Sequence, residues 1–198
     1  DALFEAVSGL TTTGATVLPV IDEAPATVIF WRALLQGLGG FITLLMIVVL
    51  LSPLGVGGLD LANSVLPRGE GADLPERLVQ TAREMSWVYL ALIVACGLLL
   101  WLAGMPVFDA ICHALSTVST GGFSTRTGGI GAFASIQIEV VLTAFMLLGA
   151  CNFTLLWALS NGRLATHRLD AETRYLGYVA VLAVIAVTAL AVVESRAA

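Results

Sequence analysis

Two short stretches hold the residue types that could do chemistry here: Thr11-Thr12-Thr13-Gly14-Ala15-Thr16 and Ser119-Thr120-Gly121-Gly122-Phe123-Ser124-Thr125. Both are uncharged and rich in hydroxyls and glycine. A dehydrated cation needs several oxygen ligands at close range, and backbone carbonyls supply them when small side chains let an extended chain approach an axis. Gly14 and Gly122 tolerate φ values that turn successive carbonyls the same way. Thr and Ser hydroxyls add oxygen without adding charge. Carbonyl ligands without a ring of carboxylates suit a monovalent ion better than a hard divalent one.

Each stretch follows a short apolar segment, Leu3 to Leu10 and Val107 to Val118, about half of a membrane span. A half-span helix running into irregular backbone is a re-entrant loop, tolerated at membrane depth where it lines a cavity or is buried in protein. The helix C-terminus then points its negative dipole end at the loop and favours a cation there. The two stretches also match each other. Ala6 to Gly14 aligns without gaps to Ala114 to Gly122, an offset of 122 − 14 = 108 residues, and after a small slip Leu38-Gly39-Gly40 corresponds to Leu148-Gly149-Ala150. Close helix packing is the other use of small residues in membranes. Two matched copies, each behind a half-length helix, favour a filter.

Long apolar runs must position these loops. Apolar residues make up 58% of 198 positions and charged residues 12%, about half the charge of a soluble surface. Thr27–Leu51, Met85–Ala103, Ile136–Leu159 and Tyr175–Val193 are each long enough to cross a core of about 30 Å as helices. The fold class expected is therefore all-α integral membrane, built from repeated helix–pore-loop–helix units. Residues 1–52 are repeat one without its outer helix, 53–84 a cytoplasmic link, and 85–160 a complete repeat two. Residues 161–174 are a second cytoplasmic loop, and 175–198 the outer helix of a third repeat. The chain opens at Asp1 in mid-pattern, as a piece of a longer chain would, and has no signal-peptide pattern.

Orientation follows from the arginines. Arg68, Arg77 and Arg83 lie in one loop and Arg163, Arg168 and Arg174 in another, which places both in the cytoplasm. These arginines either hold topology or dock a cytoplasmic partner. Cys96, Cys112 and Cys151 lie at neither metal nor disulfide spacing and read as small packed residues. No Gly-Lys-Ser/Thr phosphate loop, His-Glu-x-x-His or nucleophile elbow occurs, so no enzyme is expected.

The residues from Phe4 to Val17 resemble the first pore loop of the Trk-type potassium-uptake proteins. Ser119 to Thr125 resemble the second, Gly149-Ala150-Cys151-Asn152-Phe153 the helix after it, and Trp31-Arg32-Ala33-Leu34-Leu35-Gln36 the start of the first inner helix. That superfamily includes the Ktr and plant HKT transporters. The resemblance implies four repeats around one pore that passes K⁺, each giving a filter with one key glycine. It also implies a multi-pass protein of the bacterial inner membrane, a homodimer and a cytoplasmic nucleotide-binding regulatory subunit. Beyond these and the lipid bilayer, no nucleic-acid partner is expected. Carried over residue by residue, K⁺ would be held by Thr12, Thr13 and Gly14 and by Thr120, Gly121 and Gly122, flanked by Thr11, Ala15, Ser119 and Phe123. About one and three quarters of the four repeats are present, so the remaining pore repeats must come from the rest of a longer chain or from complementary subunits.

Glu5 and His113 occupy matched positions in the two half-helices, and Asp109 opens the second. Ionisable groups at membrane depth are functional candidates. They either support the filter from behind or change protonation in a proton- or Na⁺-coupled transporter, the alternative function. Asn152 is expected to bond the filter backbone or a neighbouring helix. Arg32 and Glu139 are read as lying near the outer helix ends, where snorkelling is inexpensive. Gly39, Gly40 and Gly149 are either hinges or packing sites.

Overall fold

The computed structural model of the chain describes residues 1–51 and 74–150, together with 175, 177–179, 181 and 182. The described residues build five α-helices and a short 3-10 turn, with no strand among them: α1 (Ala2–Leu10), α2 (Ala26–Leu51), α3 (Leu74–Leu102), α4 (Val107–Val118), the turn at Gly129–Phe133, and α5 (Ile136–Ala150). The chain divides into two compact units, Asp1–Trp157 and Ala158–Ala198. All five helices belong to the first. In the second, the described residues are helical.

Length sorts the helices. Ala26–Ile47 and Ala82–Leu102 are long and apolar enough to cross a membrane. The 9 residues of α1 and the 12 of α4 rise only about 14 and 18 Å. The long helix α3 begins at Leu74, so its first turns fall inside the segment read from sequence as a link. A helix satisfies its own backbone, and nothing requires it to stop where the apolar run ends. Residues 53–73 of the link expected at 53–84, Asn152, Cys151 and the loop at 161–174 lie outside the described residues, as does most of the expected third-repeat outer helix.

The turn between α3 and α4 reverses the chain. Gly104 takes φ +94°, and the amides of Gly104 and Met105 bond the carbonyls of Trp101 and Leu100 at 3.0 Å each. This is a left-handed helix stop of the kind glycine favours. Pro106 then opens α4, its carbonyl accepting the Ala110 amide at 2.8 Å. On the other repeat, Pro25 opens α2 and accepts the amides of Val28 and Ile29. In both cases proline starts the helix at a place where no amide donor is needed.

The main core joins the three helices of repeat two: Tyr89, Cys96 and Leu100 from α3, Ala110, Ala114 and Val118 from α4, and Ile138, Leu142 and Phe145 from α5. A smaller cluster joins the repeats, with Ile21, Ile29 and Ala33 packing against Cys112 of α4. Tyr89 crosses the same seam, its hydroxyl donating to the Gly37 carbonyl of α2 at 2.8 Å. The inner helix of repeat one thus lies along the half-helix of repeat two, with Gly37 facing Leu115.

Candidate cation filter

The two glycine stretches start where α1 and α4 end, and three of their backbone hydrogen bonds repeat in matched register. In repeat one, the amides of Thr11, Thr12 and Thr13 bond the carbonyls of Val7, Gly9 and Ser8. In repeat two, the amides of Ser119, Thr120 and Gly121 bond those of Leu115, Thr117 and Ser116. Every donor and acceptor is shifted by 108 positions, the offset of the sequence repeat. Positive φ follows the same register: Thr12 and Gly14 at +53° and +75°, Thr120 and Gly122 at +55° and +84°. The residue between, Thr13 or Gly121, is not left-handed, so φ alternates in sign along each stretch. Alternation of this kind turns successive carbonyls towards one side, the geometry a carbonyl-lined ion path needs.

A threonine in the left-handed region costs of order 1–3 kcal/mol and persists only where its surroundings hold it. Here the half-helix end holds it by three backbone bonds. Side chains reinforce the loop. Ser8 Oγ donates to the Ala15 carbonyl at 2.6 Å, and Thr11 Oγ1 bonds the Val7 carbonyl and the Thr13 hydroxyl, each at 2.8 Å. Among the predicted residues, Thr11, Thr13, Ala15, Thr120 and Gly122 are exposed on the open side of the loops, whereas Ser119, Gly121 and Phe123 are buried. Ser119 Oγ turns back to the Ser116 carbonyl at 3.0 Å.

Glycines allow the close approaches. A Cβ on Gly14 would strike the Gly121 carbonyl oxygen, so the two glycine stretches touch backbone to backbone. A Cβ on Gly39 would strike the Leu10 carbonyl, and one on Gly149 would lie 2.9 Å from the Val118 carbonyl. In each repeat, therefore, the inner helix packs a glycine on the last carbonyl of its half-helix. At Gly122 an added Cβ meets nothing within 4 Å among the described residues.

Glu5 and His113 take equivalent roles. Glu5 Oε1 accepts the Thr16 hydroxyl and the Val17 amide, both at 2.7 Å. His113 Nε2 lies 3.2 Å from the Ser124 hydroxyl, with Nδ1 2.8 Å from the Asp109 carbonyl. Thr16 and Ser124 again differ by 108 positions. Both ionisable side chains reach forward from the half-helix and tie down the outgoing chain just after the glycine stretch.

Arg32 departs from its expected place. It is 2% exposed, and its Nε donates to Glu5 Oε2 at 2.7 Å while the guanidinium carbon sits 4.1 Å over the Phe123 ring. A buried carboxylate and an aromatic face replace the water a snorkelling arginine would seek. Glu139, by contrast, is exposed at the start of α5. Gln36, one turn beyond Arg32, is fully buried, and its Oε1 accepts the Phe123 amide at 3.2 Å. Neither Arg32 nor Gln36 was singled out for the filter from sequence. Two polar residues four apart on a membrane-length helix are the signal that could have found them.

Past the filters, the outgoing segments are latched to each other. Thr127 Oγ1 accepts the amides of Ile21 and Asp22 at 2.8 and 3.3 Å, and the Thr127 amide donates to Asp22 Oδ2 at 3.1 Å. Arg126 lies between Asp109 at 3.0 Å and Asp22 at 3.8 Å. Thr127, through its hydroxyl first and its amide second, holds the Asp22 carboxyl below its ordinary value. Among the described residues no cluster of His, Cys, Asp and Glu could hold a metal ion.

This half-helix, filter and inner-helix geometry coincides with a family match. The sequence profile described as "TrkH: Cation transport protein" matches residues 1–191. The chain belongs to this family. The Trk system potassium uptake protein TrkH of Salmonella typhimurium is 42% identical over 189 residues, covering 93% of this chain and 39% of that protein. The Trk system potassium uptake protein TrkG of Escherichia coli is 44% identical over 195 residues, covering 97% and 40%. The crystal structure of the potassium transporter TrkH from Vibrio parahaemolyticus superposes with a TM-score of 0.78 at 39% identity, over 92% of this chain and 36% of that one. The chain spans about two-fifths of the length of the TrkH-family relatives it matches. The all-α membrane architecture read from the sequence is the one this family uses.

Proposed function

We propose that this segment supplies two adjacent filters of a pore that carries K⁺ across a bacterial inner membrane, serving potassium uptake. K⁺ is the transported ion. Its ligands are backbone carbonyls and hydroxyls of Thr12, Thr13 and Gly14 and of Thr120, Gly121 and Gly122, with Thr11, Ala15, Ser119 and Phe123 flanking. The observation that carries this reading is the double repeat of alternating φ at Thr12 and Gly14 and at Thr120 and Gly122. One such loop is a strained turn. Two, in matched register at the ends of half-membrane helices and in backbone contact, build neighbouring walls of a common path.

Gly14 of the first filter abuts the second filter. We assign residues 1–52 and 85–160 to repeats one and two, 53–84 and 161–174 to cytoplasmic links, and 175–198 to the outer helix of repeat three. The named relatives are potassium uptake proteins of the Trk system, and the homodimer and the cytoplasmic nucleotide-binding subunit follow from the family resemblance. Glu5 and His113 spend their polar atoms on the filter surroundings, which supports conduction over a proton-coupled cycle.

The test is ion flux into liposomes from the natural protein carrying this segment, comparing K⁺, Rb⁺ and Na⁺ for wild type and Gly122→Ser. Uptake that prefers K⁺ and Rb⁺ and loses that preference in the variant supports the filter. A preference untouched by the variant reduces the glycine stretches to packing motifs.

A further inference from the structure

We propose that Gln36 is a positioning residue which sets the ion preference of the second filter from the inner helix of the first repeat. The inference rests on the filter reading above and adds a residue that lies outside both glycine stretches.

Gln36 is on α2, at 0% exposure, in a helix long enough to cross the membrane. Burying an amide there without partners is costly, so the hydrogen bond it makes among the described residues has to matter. That bond goes to the Phe123 amide, 87 residues away, at 3.2 Å. Orientation of the side-chain amide follows from the donor, because only Oε1 can face an N–H. Its Nε2 has no partner among the described residues.

The peptide it grips is the consequential one. The Phe123 N–H and the Gly122 C=O belong to the same planar trans unit, and in such a unit the two groups point in opposite directions. Holding the N–H against Gln36, behind the filter, aims the Gly122 carbonyl away from Gln36. Gly122 is exposed on the open side of the loop. The same amide packs on the blind face of the preceding residue, since a Cβ on Gly121 would lie 2.5 Å from Gln36 Nε2. A Cβ on Gly14 would lie 3.5 Å from that atom, so Gln36 sits at the seam of the two filters.

A second contact makes the grip two-handed. Arg32, four residues earlier and on the same helix face, covers the Phe123 ring at 4.1 Å. One turn of α2 thus holds both the ring and the amide of a filter residue that belongs to the other repeat. The second inner helix does not repeat the device. By the register that equates Leu38 with Leu148, the counterparts of Arg32 and Gln36 are Leu142 and Met146. Of the two inner helices, the first carries the polar pair and the second carries apolar residues at the matching places.

The experiment uses the natural protein carrying this segment, in liposomes, with K⁺ and Na⁺ flux measured side by side. Gln36→Met keeps length and helix preference, removes the acceptor, and installs the residue present at the second repeat's equivalent site. Its expected effect is a K⁺-over-Na⁺ preference lowered about fivefold, about 1 kcal/mol at 1.4 kcal/mol per tenfold. Gln36→Glu retains an acceptor at the same reach and is expected to stay within about twofold of wild type, as a retained hydrogen bond implies. Equal reductions of K⁺ and Na⁺ flux in Gln36→Met, or no change in their ratio, overturn the proposal. Should Gln36→Met fail to assemble, Gln36→Leu gives the same reading, and a Gln36→Glu protein as impaired in its ratio as either apolar variant also overturns it. Gly122→Ser in the same preparation separates the two levels. A ratio that moves in Gly122→Ser and not in Gln36→Met removes Gln36's role alone. A ratio that moves in neither removes the filter reading.

Discussion

The ion pair behind the first filter makes the sharpest stability prediction. Arg32 and Glu5 meet at 2.7 Å with side chains 3% and 11% exposed. Glu5→Gln keeps an oxygen for the Thr16 hydroxyl and the Val17 amide, so those two bonds survive. It also turns an N–H towards the Arg32 Nε, which is itself a donor, and leaves a buried cation without a counter-charge. Removing one partner of such a pair costs about 3–5 kcal/mol, whereas replacing both by apolar groups is often neutral. Glu5→Gln is therefore expected to lower the thermal unfolding midpoint of the natural protein in detergent by several degrees. Glu5→Gln combined with Arg32→Met is expected to recover at least half of that loss. The uncompensated guanidinium, stacked on Phe123 beside the second filter, is also expected to depress K⁺ flux in the single variant and to release it in the double. An unchanged midpoint in Glu5→Gln, or a double variant worse than the single, refutes the reasoning. The charge would then be compensated from somewhere other than Glu5.

Three further outcomes follow from the same geometry. Gly14→Ala and Gly122→Ala share a left-handed strain of about 1–2 kcal/mol, but Gly14→Ala also drives a Cβ into the Gly121 carbonyl. Gly14→Ala is accordingly expected to be the more destabilising of the two by thermal unfolding. The Asp22 carboxyl is held below its ordinary value near 3.8 by Thr127. Its contribution to stability is present above about that pH and is lost as pH falls through the lower, folded-state value. The midpoint difference between wild type and Asp22→Asn should be flat from neutral pH to about pH 5 and shrink only below about pH 4. His113→Gln, with a side-chain amide to face Ser124, is expected to keep K⁺ flux and leave it independent of an imposed proton gradient, where a coupled transporter would lose it.

The repeat was legible because self-similarity survives without knowledge of the fold. Ala6–Gly14 and Ala114–Gly122 share residue types, and the short apolar segments that lead into the glycine stretches are too brief to span a membrane. Local chemistry also marked Glu5 and His113, since ionisable groups at that depth need a reason. Contacts distant in sequence were out of reach. Glu5 meets Arg32 across 27 residues, Gln36 meets Phe123 across 87, and Asp22 meets Thr127 across 105. Read alone, Arg32 near a helix end suggested a side chain reaching for water, the ordinary behaviour of an unpaired arginine. Thr12 and Thr120 at positive φ were equally hidden, because threonine avoids that region unless the surrounding bonds impose it. The helix α3 starts at Leu74, ahead of the apolar run from Met85, because hydropathy marks the membrane edge and a helix is free to continue past it.

The central claim is that carbonyls of the two stretches hold K⁺. The most direct measurement is anomalous diffraction from the natural protein carrying this segment, crystallised with Rb⁺ in place of K⁺. The account predicts anomalous peaks on the open side of the loops, within coordination distance of oxygens of Thr12, Thr13, Gly14, Thr120, Gly121 and Gly122. Peaks placed elsewhere, with none against those oxygens, would contradict it.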